Sequence, residues 1–270
     1  MTVTVGVQPV AAAVLKNAAF GNDPARWPLP AATTPQDLWL RAVAAGGQGR
    51  YGSALADLAG VHRLLRSGRW ASLAYSTHAS FLRQLGWHAR ARTWDGKAWA
   101  LAGTDLEAGA DALIGLAADA LGVGRFAASA AALARAGELI AGAASQRLPV
   151  RLAWVSAELA MARGDGAAAV GHARRAVELA AGFGSARHAV KSDVILAAAF
   201  CSAGEIDESR RVADAALQDT GRLAMIPLRW ALACLLADMG SAGHPPPEVQ
   251  RIRNECAATV RRRGGEFARR

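Results

Sequence analysis

Apolar residues recur along this 270-residue chain at spacings of three, four and seven, which places them on one face of a helix. The alternation of apolar and polar residues that is typical of strands is absent from the sequence. The pattern predicts helices near residues 36–47, 50–65, 69–85, 87–102, 105–123, 125–142, 146–163, 167–183, 186–203, 206–220, 222–239 and 246–263. Residues Val10–Ala19 could form one further short helix.

A repeat emerges when the chain is aligned on its regularly spaced glycines. They follow one another at intervals of 37, 38, 40, 40 and 36 residues, and they are Gly49, Gly86, Gly124, Gly164, Gly204 and Gly240. Seven residues before each stands an alanine, at Ala42, Ala79, Ala117, Ala157, Ala197 and Ala233. A glycine can take the positive φ that ends many helices. A small residue lets two helices cross closely, so the columns predict a series of similar helix pairs.

Three segments carry a resemblance to a known family: AAGGQGRYGSALADL, LGVGRFAASAAALARA and CSAGEIDESRRVADAAL. They resemble the turn and second helix of the tetratricopeptide repeat (TPR), which has a small residue, a glycine, an aromatic and two alanines at these offsets. The resemblance covers roughly residues 35–262 and is divergent, because the units are longer than usual and lack the closing proline. It implies an all-α, right-handed α-solenoid of about six antiparallel helix pairs. We expect an actinobacterial source.

The sequence predicts three parts. Residues 1–33 form an N-terminal extension that is partly disordered or holds one short helix. Residues 34–263 form the repeat domain, with Thr34 as the N-cap of its first helix and a capping box over Thr104–Glu107. Residues 264–270 form a basic C-terminal tail.

The chain is basic, but its charge is uneven. Lys and Arg number 31 against 22 Asp and Glu, which gives a net charge of +9. The end of the chain is rich in arginine, at Arg261, Arg262, Arg263, Arg269 and Arg270. Such a tail is typical of a solvated helix end, and it also suits contact with nucleic acid or an acidic partner.

Cysteine usage and the N-terminal sequence favour a cytoplasmic location. Cys201, Cys234 and Cys256 are odd in number and widely spaced, so we expect reduced thiols. No Lys or Arg precedes the short apolar run Val10–Leu15, as a secretory signal would require. No stretch of about 20 apolar residues occurs, so no transmembrane helix is expected.

No set of residues in the sequence predicts catalysis, a cofactor or a metal. The segments Gly47–Gly52 and Gly122–Ala127 match glycine-rich dinucleotide motifs, but a helix precedes each where a strand is needed. None of the six histidines pairs with another at helical spacing or neighbours a cysteine. Ser76, His78 and Ser80 are close in sequence but point in different directions on a helix. We expect a protein that is not an enzyme.

The resemblance also implies a binding surface, because in the TPR family the first helix of each pair lines a concave groove. Projecting that face predicts a partner-binding set: Trp39, Ser76, Ser80, Arg83, Arg151, Trp154, Glu158, Arg187, Lys191 and Trp230. The same projection includes Ile114 and Val194. We expect Arg83, Arg151, Arg187 and Lys191 to be exposed, because unpaired charges are rarely buried. Trp154 and Trp230 could equally belong to the core.

Two functions remain open at this stage. The first is a non-catalytic protein–protein interaction scaffold that binds a partner peptide or protein, with acidic character favoured by the basic groove. The alternative is a regulatory protein associated with nucleic acid or the transcription machinery through its basic surface and tail. The repeat and the missing catalytic set favour the first, whereas the arginine-rich end supports the second.

Overall fold

A computed structural model describes residues 7–268, and this part of the chain consists of thirteen α-helices without strands. The helices are α1 (Val7–Phe20), α2 (Pro35–Gly47), α3 (Tyr51–Leu64), α4 (Arg69–Gln84), α5 (His88–Leu101), α6 (Leu106–Gly122), α7 (Phe126–Ala141), α8 (Arg147–Ala162), α9 (Gly166–Phe183), α10 (Ala186–Ser202), α11 (Ile206–Arg222), α12 (Ile226–Met239) and α13 (Pro246–Arg262).

Helices α2 to α13 pack as six consecutive pairs, α2 with α3 through to α12 with α13. Each first helix also contacts the first helix of the next pair, as α4 does with α6 and α8 with α10. The pairs therefore form one continuous stack, in which each pair buries the apolar face of its neighbour. The predicted fold class, an all-α solenoid of six helix pairs, is confirmed.

The glycine and alanine columns have the geometry that the sequence predicts. All six glycines adopt positive φ, between +71° at Gly49 and +88° at Gly86. All six alanines, Ala42, Ala79, Ala117, Ala157, Ala197 and Ala233, are 0% exposed. Since a methyl group is the largest side chain that fits at these contacts, the alanines set how closely the helices approach.

Helix starts follow the capping rules, with one correction. Thr34 caps α2 as predicted, because its Oγ1 accepts a hydrogen bond of 3.1 Å from the Asp37 amide. The capping box over Thr104–Glu107 predicts Thr104 as the N-cap of α6, which is one residue too early. Asp105 is the N-cap of α6, and its Oδ1 accepts a 2.8 Å bond from the Ala108 amide.

Helix α1 lies on the concave side and connects the first pair to the fifth. It packs mainly on α2, and it also contacts α10. Leu15, Ala18 and Ala19 are buried in the same apolar cluster as the residues of α2. The carbonyl of Gly21 accepts a 3.1 Å bond from the Ala186 amide at the start of α10. The N-terminal helix thus spans the opening of the solenoid.

The segment after α13 returns to the first two pairs. The carbonyl of Arg263 accepts a 2.9 Å bond from the Gly52 amide in α3. The Ala268 amide donates to the carbonyl of Leu85 at 2.7 Å, and Trp87 Nε1 donates to the carbonyl of Glu266 at 2.7 Å. The end of the solenoid therefore contacts its beginning. Arg269 and Arg270 of the predicted tail, like residues 1–6, lie outside the described residues.

Among residues 7–268, no helix combines the length and the apolar composition needed to cross a bilayer.

We predict that enlarging a column alanine destabilises the fold. Ala157→Leu adds three carbons where α8 has no free space, so the free energy of unfolding should fall by about 1–3 kcal/mol. Ala167→Leu on the exposed face of α9 is the matched control and should change it by less than about 0.5 kcal/mol. Urea unfolding followed by circular dichroism measures both. Equal effects at the two positions would contradict close packing at the columns.

Candidate binding cavity

The concave side contains a cavity of about 400 Å³ that is partly open to solvent. Its wall takes residues from the first helix of every pair, and His88 adds the start of α5. The lining residues are Gly47, Ser80, Arg83, Gln84, His88, Ile114, Ala118, Leu121, Gly122, Arg151, Trp154, Val155, Glu158, Arg187, His188, Lys191, Pro227 and Leu228. Because the solenoid closes on itself, residues up to about 180 positions apart in sequence meet in one site.

Seven of the ten residues in the predicted partner-binding set line this cavity: Ser80, Arg83, Arg151, Trp154, Glu158, Arg187 and Lys191. The other three lie elsewhere. Ser76 is buried beneath the wall, where its hydroxyl donates a 2.7 Å bond to Asp95. Trp39 is 5% exposed and donates from Nε1 to Thr77. Trp230 packs against Phe267 of the returning segment, with ring centroids 4.6 Å apart and the ring planes tilted by 39°.

Arg83 is held by two carboxylates behind the cavity wall. It pairs with Asp95 of α5 and, at 2.9 Å, with Asp119 of α6. Burial raises the pKa of Asp95 to about 7, although Arg83 opposes this shift. Burial also raises the pKa of Asp119. Two carboxylates around one guanidinium, all away from water, favour retention of a proton by the carboxylate pair.

A second cluster joins α6 to α8. Asp111 pairs with Arg147 at 3.0 Å and with Arg151 at 2.9 Å. Burial alone would raise the pKa of Asp111, but the two guanidiniums outweigh it, so the pKa lies below the usual value. Asp111 therefore remains charged and fixes both arginines in place.

The expectation that Arg83 and Arg151 are exposed is wrong. The side chain of Arg83 is 10% exposed and that of Arg151 is 20% exposed. The expectation assumed unpaired charges, whereas carboxylates from neighbouring helices pair with both residues. These partners lie up to 40 positions away in sequence, so helix periodicity alone does not reveal them.

Aromatic rings form one wall of the cavity. The indole of Trp154 stacks on His188 with centroids 5.2 Å apart, and Trp154 Nε1 donates a 2.9 Å bond to Ser192. The ring centroid of Phe20, at the end of α1, lies 5.9 Å from that of His188. Burial, with nearby Arg187 adding to it, holds the pKa of His188 well below its usual value. His188 is therefore a neutral aromatic surface at physiological pH.

Arg187 and Lys191 of α10 differ from the other cations of the cavity. Within the described residues neither makes a salt bridge. Arg187 Nε, like Arg151 Nε, is buried without a hydrogen-bond partner, but only the Arg151 nitrogen has a carboxylate oxygen, that of Asp111, at 2.9 Å. Burial, with Arg151 and Arg147 adding to it, lowers the pKa of Arg187 to about 10. Burial also lowers the pKa of Lys191, although Glu158 partly opposes the shift. Both are half-buried, so their expected exposure is also wrong.

Several lining residues are not predicted from the sequence, and His88 and His188 are the most informative of them. His188 precedes the predicted Lys191 by three positions, so a wider projection of α10 would have included it. His88 follows the repeat glycine and packs over Gly122, where a Cβ would lie 2.1 Å from its Nδ1. Gly122 is therefore required for α6 to approach α5. Pro227 and Leu228 are part of the cavity lining only because the last helix pair curves back to the first.

The cavity is suited to binding. Its polar groups are four cations, the Glu158 carboxylate, two neutral histidines, the Ser80 hydroxyl and the Gln84 amide, set between apolar and aromatic walls. Among residues 7–268, no group of three or more His, Cys, Asp or Glu side chains could hold a metal ion.

No protein-family model matches this chain, and no curated protein sequence matches it. Among solved structures, it is similar to the crystal structure of Rap protein complexed with Competence and Sporulation Factor. The TM-score is 0.63 at 12% sequence identity, over 85% of this chain and 64% of that chain. This chain thus spans a little under two thirds of the length of that protein. The likeness supports a TPR-like helical repeat as the fold.

We predict that Asp95→Asn changes how stability depends on pH. With the pKa of Asp95 raised to about 7, the native state keeps a proton that the unfolded chain loses near pH 4. The free energy of unfolding should therefore fall as pH rises from 5 to 8. Asn removes this contribution, so the decline should be smaller by an amount on the order of 1 kcal/mol.

Urea unfolding at pH 5, 6, 7 and 8 measures this slope. Glu178→Gln is the control, because Glu178 is exposed, with 66% of its side chain accessible, and its variant should keep the native slope. Parallel curves for the native protein and Asp95→Asn would show that Asp95 is not protonated in the folded protein.

Proposed function

We propose that this chain is a non-catalytic interaction scaffold that binds a protein or peptide partner on its concave face. The observation that carries the proposal is the cavity built by the first helices of all six pairs. Tryptophan and arginine, the residue types that most often anchor protein interfaces, both line it at Trp154, Arg151 and Arg187.

The dimensions of the cavity restrict what the partner inserts. A volume of about 400 Å³ lies in the range of sites for small ligands. It suits a few residues of a peptide, or one side chain of a larger protein, and is too small for a folded domain. Of the four lining cations, Arg187 and Lys191 have no carboxylate partner within residues 7–268, which favours a partner that is acidic at the point of contact.

The similar Rap protein supports a binding role, because it was solved in complex with Competence and Sporulation Factor. For the present chain, we propose a partner at the concave face on the basis of the likeness in fold and the geometry of the cavity. A cytoplasmic location and an actinobacterial source remain predictions from the sequence.

A second candidate function is association with nucleic acid, and one surface favours it. The returning segment brings Arg263 to the first turn, where it donates a 2.7 Å bond to the carbonyl of Gln48. Arg50 stacks there on the exposed Trp27, with its guanidinium 3.8 Å from the ring centroid. Exposed Arg261 and Arg262 extend the same basic surface. Cations beside an accessible aromatic ring are suited to phosphates and bases.

For the scaffold, we predict that filling the cavity abolishes partner capture. Ala118→Trp places an indole inside the cavity without changing any charge. Ala128→Trp places the same group on the exposed face of α7 and is the matched control. A partner cross-linked to the native protein in lysate should be recovered with Ala128→Trp and reduced at least about tenfold with Ala118→Trp. Equal recovery with both variants would exclude the cavity as the binding site.

For the second candidate, the test is charge removal at the basic surface. Deleting residues 261–270 would also remove Phe267 and the bonds to α3, so a triple Arg261→Gln, Arg262→Gln, Arg263→Gln variant is the cleaner change. If nucleic acid is the partner, duplex DNA anisotropy should give an affinity that falls about tenfold or more between 50 and 200 mM salt. The triple variant should bind more weakly with a smaller salt slope. Unchanged binding by the variant contradicts this role of the surface.

A further inference from the structure

We infer that the cavity holds an anionic group of its ligand, a carboxylate or a phosphate, between Arg187 and Lys191. This inference rests on the proposed function, because it specifies the chemistry that the same cavity recognises. It concerns the ligand group alone, so it can be tested with simple anions and without the partner.

Cations with and without a carboxylate partner lie together in this one site. Arg83 and Arg151 each have an aspartate within ion-pair distance, as does Arg147 just behind the wall. Arg187 and Lys191 have no such partner within residues 7–268. Buried or half-buried cations without a counter-ion destabilise a fold, so a bound anion is the missing component.

The side chains of Arg187 and Lys191 are both held in place around the cavity. The aliphatic part of Arg187 packs against the end of α2, where a Cβ on Gly47 would lie 3.2 Å from Arg187 Cδ. Its guanidinium lies 5.9 Å from the ring of Phe20. Lys191 Nζ lies 5.2 Å from the ring of Trp154. Aromatic contacts on both cations position the charges without neutralising them.

The electrostatics of the site also favour a bound anion. Burial, with Arg151 and Arg147 adding to it, lowers the pKa of Arg187, so the site is short of negative charge. Glu158 raises the pKa of Lys191 but forms no salt bridge with it. Glu158 therefore acts on the charge of Lys191 only from beyond ion-pair distance. The space between Arg187 and Lys191 remains suited to a ligand oxygen.

Two sources of this anionic group differ in chemistry that an experiment can separate. A short peptide supplies a terminal carboxylate, whereas a phosphorylated ligand supplies a phosphate. The flat faces of Trp154 and His188 can contact the remainder of either ligand.

Thermal unfolding of the full chain tests the inference with two probes at constant ionic strength. The probes are inorganic phosphate and N-acetyl-trialanine, whose only charge is its carboxylate, with N-acetyl-trialanine amide as the uncharged control. At ten times its dissociation constant, a bound probe should raise the melting temperature by about 3 °C. A rise with phosphate alone assigns a phosphorylated ligand, and a rise with the charged peptide alone assigns a terminal carboxylate.

Charge-neutral variants provide the specific signature. Arg187→Gln and Lys191→Gln should each abolish the rise, and Arg187→Gln should by itself melt at or above the native temperature, since it removes an unpaired cation. Arg175→Gln, at an exposed arginine of α9, should keep the native response. The inference is overturned if neither probe raises the melting temperature, or if all variants respond equally.

Because no partner is needed, this result is independent of the Ala118→Trp experiment. A probe response that is lost in Arg187→Gln, together with unchanged partner capture by Ala118→Trp, would support the anion site and exclude the cavity as the site that captures the protein partner. The reverse pair of results would reject the anion site alone.

Discussion

The close crossing of helices at fully buried alanines is the constraint on which the rest of the structure depends. Each pair of helices leaves an apolar face that only the next pair can cover, and Ala42 to Ala233 fix how near the neighbours come. Positive φ at the following glycine then lets the chain reverse, within three residues in each of the first five pairs. The spacing of these two residues sets the position of every first helix, and hence the wall of the cavity.

Contacts between the two ends of the solenoid close the stack of helix pairs around the cavity. Helix α1 spans from the first pair to the fifth, and residues after α13 return to α3 and to Leu85. These contacts place Phe20 beside Arg187 and bring Pro227 into the same wall as Gly47. A binding surface that six pairs would otherwise present as an open groove becomes a cavity of peptide-fragment size. Because the two ends of the solenoid meet, a few residues from each first helix suffice to form the site.

The fold was predictable from the sequence because its signals are local. Gly124 and Ala117 are seven positions apart, so periodicity finds them. The exposure of the charged side chains in the groove could not be predicted, because it depends on partners that are distant in sequence. Arg83 was expected to be exposed, yet Asp119, 36 positions later, pairs with it across a helix boundary. The returning segment was interpreted as a solvated basic tail, since nothing near Arg263 in sequence indicates the Gly52 amide as its neighbour.

Amide hydrogen exchange at Gly52 tests closure most directly. Gly52 is the second residue of α3, so its N–H has no acceptor within that helix and is protected only by the carbonyl of Arg263. Ala127 is the second residue of α7, and among the described residues its N–H has no such partner. Our account predicts slow exchange at Gly52 and fast exchange at Ala127, as resolved by NMR. Equally fast exchange at both amides would contradict a closed solenoid.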